Sequence, residues 1–233
     1  MTTEELFRED AYRTESPARV LACDARGIVL DRTVFYPRGG GQAGDCGALV
    51  RDDGSSIAIT DTVKGEAPGE IVHVAAAPLD AGEPVTARID WERRHRHMRF
   101  HTATHLLCAI VPHPTNGCSI TADYARLDFD MVEPLEREHL ERELARLVAE
   151  AHDIRTIWIS DEELDAKPEL VRTMSVKPPR GVGRVRLLEI DGVDLQACGG
   201  THVANTREIG VVRIAKIEKK SARTRRVVLE FGE

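Results

Sequence analysis

Met98-Arg99-Phe100-His101-Thr102-Ala103-Thr104-His105-Leu106-Leu107 carries two histidines four residues apart in a run whose apolar spacing predicts helix. At about 3.6 residues per turn, four steps leave a rotation of roughly 40°, so both imidazoles leave one face, about 5–6 Å apart at Cβ. Ring nitrogens so placed can grip one metal ion. Far downstream, Asp194-Leu195-Gln196-Ala197-Cys198-Gly199-Gly200-Thr201-His202 repeats the spacing with Cys198 and His202. The double glycine between them is expected to let the backbone turn so that both side chains face one point. Three imidazoles and a thiolate are donors that zinc prefers, in the number of its tetrahedral shell. The expected cofactor is therefore one zinc ion per chain, held by His101, His105, Cys198 and His202.

Outward from that stretch, Asp90 can cap a helix running from Trp91 to about Val111, where Pro112 and Pro114 stop it. Phe100, Ala103, Leu106, Leu107 and Ile110 predict a helix buried on one side. Upstream lie short apolar runs punctuated by turn signals: Ala18–Cys23, Gly27–Leu30, Thr33–Tyr36, Gly47–Val50, Ile57–Thr60, Ile71–Val74 and Val85–Ile89. Such closely spaced strands predict a small β-barrel or sandwich. Downstream, strands are expected at Gly117–Thr121, Ala125–Asp130, Ile154–Ile159, Arg184–Ile190, Ile209–Ile214 and Arg226–Phe231. A helix is expected over Glu133–Ala151, and Ser160 with Glu163 makes a capping box for a short helix ending before Pro168. The fold class read from this pattern is α+β, with an N-terminal β domain over 1–90 and a C-terminal α+β domain with antiparallel sheet and zinc site over 91–233.

Within the first part, Tyr36-Pro37-Arg38-Gly39-Gly40-Gly41-Gln42-Ala43-Gly44-Asp45 stands out. Gly39, Gly40 and Gly41 in succession suit a backbone that passes close to another surface or presents bare amides to an anion. With Gln42 and Asp45 they form a candidate binding loop, the plainer alternative being a hairpin turn.

Apolar residues make up 42% and charged residues 30% of the 233, a balance that excludes a disordered chain. No apolar run approaches the roughly 20 residues of a membrane span. Five cysteines at scattered positions are no disulfide framework and suit a reducing compartment, so a cytoplasmic protein is expected. A net charge of −7 does not advertise nucleic-acid binding by the chain as a whole, which leaves local basic faces for that role.

Thr102 stands where a zinc metalloprotease carries its general-base glutamate, which argues against peptidase chemistry. Four protein ligands suit a closed structural zinc. Catalysis needs an exchangeable position, an expanded shell, or one of the four standing off as a base.

Taken together, the motifs resemble the freestanding alanyl-tRNA editing proteins, which are related to the editing domain of alanyl-tRNA synthetase. The resemblance rests on Phe35–Gln42 with Asp45 and Gly47, on Met98–Leu107, on Ala125–Phe129 and on Asp194–His202, and it spans nearly the whole chain. It implies an N-terminal β-barrel carrying the glycine motif and a C-terminal editing domain. It also implies hydrolysis, in trans, of serine and in some members glycine wrongly esterified to alanine tRNA, with ligand positions on His101, His105, Cys198 and His202. Such an ester is an activated acyl group, so hydrolysis mainly needs a placed water and charge stabilisation at the carbonyl. Thr102 is then a candidate catalytic hydroxyl and Thr104 a candidate substrate contact. Thr115, Ser119 and Thr121 are weaker candidates for recognising a serine hydroxyl.

The partner implied is alanine tRNA charged with serine or glycine, with no membrane involved and the chain acting as a monomer or homodimer. Candidate tRNA contacts are Arg223, Arg225 and Arg226, with Arg93, Arg94, Arg96, Lys219 and Lys220 as further basic positions. Two other functions compete: editing of another misacylated tRNA of the threonyl type, and a zinc-stabilised RNA-binding module without catalysis.

Overall fold

Six strands close a barrel in the first of two units into which the chain divides, Met1–His95 and Arg96–Glu233. The computed structural model describes residues 2–171 and 184–232. In chain order the first unit has β1 (Glu4–Glu5), β2 (Glu15–Asp24), β3 (Gly27–Leu30), β4 (Arg32–Thr33), β5 (Gly47–Val50), β6 (Ser56–Lys64), β7 (Ile71–Ala75) and β8 (Pro84–Ile89). The barrel runs β2-β3-β7-β6-β5-β8, every neighbour antiparallel. Closure leaves no free sheet edge. Alternation fills it: in β6, Ile57 and Ile59 point inward and join Leu30, Phe35, Leu49, Val85 and Ala87 in the core. His73 is buried in that barrel. Its Nδ1–H donates to the Ile28 carbonyl (3.0 Å), while Nε2 accepts from the Thr33 hydroxyl (2.7 Å).

The strand expected at Thr33–Tyr36 is cut short. Only Arg32–Thr33 pairs, with Glu4–Glu5. Beyond it the backbone bonds to side chains instead: the Val34 carbonyl accepts from Arg94 (2.7 Å) and the Tyr36 amide donates to Asp45 (2.7 Å). Arg94 Nε reaches the same Asp45 Oδ2 at 2.8 Å, and Arg94 Nη1 donates to the Ala11 carbonyl at 3.0 Å. Both side chains of this ion pair are buried.

Helix α1 (Trp91–Ile110) crosses the division between the units. Asp90 caps it, accepting from the Arg93 amide at 3.0 Å. The one-sided burial expected of α1 is not what forms. From His97 to Cys108 every residue but Arg99 is buried, polar ones included, so a helix with no solvent face carries the two histidines. Thr102, Thr104 and His105 are hydrogen-bonded inside the protein, which is why the apolar stripe understated the burial of this helix.

The second unit continues with β9 (Thr115–Ile120), β10 (Ala125–Asp130), α2 (Arg137–Ala149), β11 (Ile154–Ile159), α3 (Asp161–Asp165), β12 (Val185–Ile190), β13 (Asp194–Ala197), β14 (Val212–Ser221) and β15 (Thr224–Phe231). Two antiparallel sheets result, β14-β15-β10-β9 and β11-β12-β13. This is the α+β class with a barrel at its N-terminal end. The capping box on α3 forms between Ser160 and Glu163.

Two elements start three or four residues later than expected. Helix α2 starts at Arg137 rather than Glu133: Pro134 disfavours a helical Glu133, and Arg225 takes the Val132 and Glu133 carbonyls. The strand expected at Ile209–Ile214 starts at Val212. Thr206–Ile209 instead form a 3-10 turn capped by Asn205 and ended by Gly210 at φ +68°.

Candidate metal centre

His101 and His105 project from the buried middle of α1; Cys198 and His202 lie on the loop that leaves β13. Their ligand atoms all fall within 4.8 Å of one another. Cys198 Sγ is 3.5 Å from His101 Nε2 and 3.2 Å from His202 Nε2. The three rings pack around the sulfur with centroids 4.2 Å (His101–His202), 4.8 Å (His105–His202) and 5.4 Å (His101–His105) apart. A tetrahedral shell built on zinc bonds of about 2.1 Å to nitrogen and 2.3 Å to sulfur has edges of roughly 3.3–3.6 Å, which the His101 separation matches and the His202 separation falls just short of. The three histidines are buried and Cys198 is half-buried.

Local physics holds each donor. Pairing of β13 with β12 sets Ile190 opposite Asp194 and Leu188 opposite Gln196. Strand alternation then turns Asp194 and Gln196 inward and leaves Leu195 exposed. Asp194 Oδ2 accepts from His105 Nδ1–H at 3.0 Å and from the Gln196 amide at 2.7 Å. With Nδ1 protonated, His105 offers Nε2 as its lone pair. His202 is set the same way by Thr102. That hydroxyl donates to the Met98 carbonyl (2.9 Å), so its oxygen accepts from His202 Nδ1–H (3.3 Å) and from the Val203 amide (3.3 Å).

The loop itself is held by Arg186 on β12. Its Nη1 donates to the Cys198 carbonyl (3.0 Å) and the Gly200 carbonyl (2.8 Å), and its Nη2 donates to Thr156 Oγ1 (3.1 Å). Neither Gly199 nor Gly200 takes a left-handed φ, so an arginine clamp rather than a left-handed glycine shapes this bend.

The electrostatics favour a thiolate. Burial opposes charge on Cys198, yet His101, His202 and His105 outweigh it and draw the thiol well below its usual pKa. Burial likewise opposes a charged His105, but the Cys198 and Asp194 charges raise its pKa to about 9 in the protein alone. His202 is pushed well below the usual histidine value, chiefly by burial and then by His101. Burial and the Cys198 charge push Cys118 up to about 12, so it stays a neutral thiol.

The other sequence candidates are placed as follows. Thr102 orients His202, and Thr104 donates back to the His101 carbonyl (2.7 Å) within its own helix. Thr121 serves a turn, donating to the Tyr124 carbonyl (3.0 Å). In the glycine motif, Gly39 and Gln42 exchange backbone hydrogen bonds (3.1 and 3.0 Å) around Gly40 and Gly41 at φ +60° and +87°, the signs a type I′ hairpin turn requires. Gly39, Gly40 and Gly41 therefore form the tip of a turn at the surface, whereas Gln42 and Asp45 are buried. Arg226 binds Asp128 through two bonds (2.7 and 2.9 Å), and Arg225 is buried on backbone carbonyls. Arg223 is largely exposed, with one bond to Asp130 at 3.3 Å. Arg93 and Arg96 bond backbone carbonyls, and Lys220 reaches Asp128 at 3.4 Å. Sequence reading missed Asp194 and Arg186 as groups that orient the donors. Asp194 stood inside the quoted motif, while nothing local marked Arg186.

Both units carry matches to domains of aminoacyl-tRNA synthetases. Residues 6–93 match the family described as tRNA synthetases class II (A), and residues 185–228 match the threonyl and alanyl tRNA synthetase second additional domain. The alanyl-tRNA editing protein AlaX-M of Saccharolobus solfataricus is 35% identical over 97% of each chain. That of Methanosarcina acetivorans is 37% identical, again over 97% of each. An alanine–tRNA ligase of Ignicoccus hospitalis is 37% identical over 93% of this chain and 24% of its own. This chain belongs to the alanyl-tRNA editing protein family. Among the described residues, no helix is long and apolar enough to cross a membrane.

Proposed function

We propose that this protein hydrolyses, in trans, the ester of alanine tRNA wrongly charged with serine or glycine, and that its centre holds one zinc ion on His101, His105, Cys198 and His202. The observation that carries the reading is the convergence of these four donors, from sites 97 residues apart, in a chain similar to alanyl-tRNA editing proteins along its whole length. Zinc has the right ligand softness and number, and when bound it supplies Lewis acidity to an ester substrate.

The chain's own residues do the rest. Asp194 and Thr102 present His105 and His202 with the correct nitrogen forward, and Arg186 holds the loop that carries Cys198. Those bonds keep the donors in place before substrate arrives, the condition under which electrostatic stabilisation at a carbonyl costs no rearrangement. Preference for serine over alanine follows if the pocket hydrogen-bonds the serine hydroxyl, since a site built for a hydroxyl rejects the molecule lacking it by orders of magnitude. Thr115, buried on β9, and Ser119 are the candidates for that contact. The barrel and the second unit are read as the glycine-motif and editing domains.

The test is release of amino acid from alanine tRNA charged separately with serine, glycine or alanine, beside threonine tRNA charged with serine. Serine release from alanine tRNA, abolished in His101→Ala together with zinc binding, supports the reading. Equal activity of that variant would refute the metal mechanism.

A further inference from the structure

Trp158 lies on β11, the edge strand of the β11-β12-β13 sheet, and is 40% exposed. Only one other tryptophan exists in the chain, Trp91, and it is half-buried against His95. Apolar rings of this size normally bury themselves, so an open indole asks for a partner. The opposite side of the same sheet is already filled: Ile157, Ile159, Val185 and Leu187 pack against Leu164 and Leu170. Trp158 is on the other face, directly across from Arg186.

That pairing ties the indole to the metal centre. Arg186 clamps the Cys198 and Gly200 carbonyls with one nitrogen and Thr156 with the other, so a single guanidinium separates the Trp158 strand from the loop that carries two ligands. Arg184 adds a second cation, its guanidinium carbon 4.5 Å from the Trp158 ring centroid. A part-exposed indole and a cation over its ring thus stand on a strand that Arg186 joins to the Cys198 loop.

We propose that Trp158 and Arg184 form a stacking platform for one of the unpaired nucleotides at the 3′ end of the tRNA, beside the nucleotide whose ester enters the centre. The proposal rests on the ester-hydrolysis reading. Single-stranded RNA is held by base stacking on aromatic rings and on arginine planes, and by cations beside its phosphates. Trp158 offers the ring and Arg184 the charge. Arg186, held through both terminal nitrogens, positions the Cys198 loop and takes no part in the stacking.

The test uses zinc-loaded protein carrying Trp91→Phe, so that Trp158 is the sole indole. Titration with a short single-stranded RNA ending in cytidine-cytidine-adenosine should quench its emission saturably. On serine-charged alanine tRNA, Trp158→Ala should raise KM about tenfold with kcat little changed, Trp158→Phe should recover most of the loss, and zinc content should stay at the parent's value. Should Trp158→Ala lose zinc, the quenching alone decides. Absent quenching overturns the platform, as does an unaltered KM in a Trp158→Ala protein that keeps its zinc. So does a concentration-dependent dimer that Trp158→Ala disperses, because a second copy of the chain would then cover the indole. Saturable quenching in a protein that releases no serine would sink the hydrolysis reading and leave the platform standing.

Discussion

His105 points its Nδ1 at Asp194 Oδ2, 3.0 Å away, joining residues 89 apart in sequence. The contact sets which ring nitrogen is free and adds negative charge behind a candidate ligand. Replacing Asp194 with Asn keeps the shape and removes the charge. Zinc affinity should fall about 10- to 100-fold, the usual cost of losing such a partner. Competition against a chromogenic chelator measures it, and an unchanged affinity would show that the contact does not tune the centre.

The Arg94–Asp45 pair predicts a different kind of loss. Both groups are buried, and one carboxylate oxygen receives the Tyr36 amide and the guanidinium together. Asp45→Asn strands a buried arginine charge and should cost about 3–5 kcal/mol of stability, seen as a lowered melting temperature. Were Asp45 a tRNA contact instead, the variant would melt like the parent and bind tRNA less well.

His73 makes the barrel sensitive to acid. Burial lowers its pKa from 6.5 to about 4, the Ile28 carbonyl bond opposing that only in part. The unfolded chain therefore binds a proton between these values while the folded one does not, so stability falls as pH drops from about 6.5 to 4. The loss from this group approaches roughly 3 kcal/mol at pH 4 and levels off below it. A His73→Asn variant should show a flatter dependence across that window by chemical denaturation.

Arg223 and Arg226 should separate binding from folding. Arg223 has a 75% exposed side chain and one weak carboxylate contact, so Arg223→Ala should leave melting unchanged and weaken tRNA binding, lowering the salt slope by about one. Arg226 is the bidentate partner that holds the buried Asp128 carboxyl below its ordinary range. Arg226→Ala should lower the melting temperature instead. Filter binding across a salt series, with melts on the same samples, checks both.

Much of the fold could be read along the chain because its signals were local. Gly27–Leu30, Gly47–Val50, Ala125–Asp130 and Ile154–Ile159 form as strands at the expected residues, and the Ser160–Glu163 capping box is present. The four donors were legible because i, i+4 spacing and ligand chemistry are both written in sequence. What escaped depends on distant pairing. Val34 and Tyr36 leave the sheet because Arg94 and Asp45 claim their backbone groups, and α2 starts late because Arg225 holds Val132 and Glu133. Arg186 clamps the Cys198 loop from another strand. Thr102, expected as a catalytic hydroxyl, bonds His202 100 residues away, a contact that no local signal marks.

The position of Arg94 decides where the barrel can be severed. The counter-charge to Asp45 arises within the opening turn of α1, beyond the last barrel strand. A fragment ending at residue 90 would lose that guanidinium and enclose an orphan carboxylate; one ending at His95 would keep it. Gene fusions or splits that trade this barrel between synthetases and freestanding proteins must therefore carry the helical stub along with the strands.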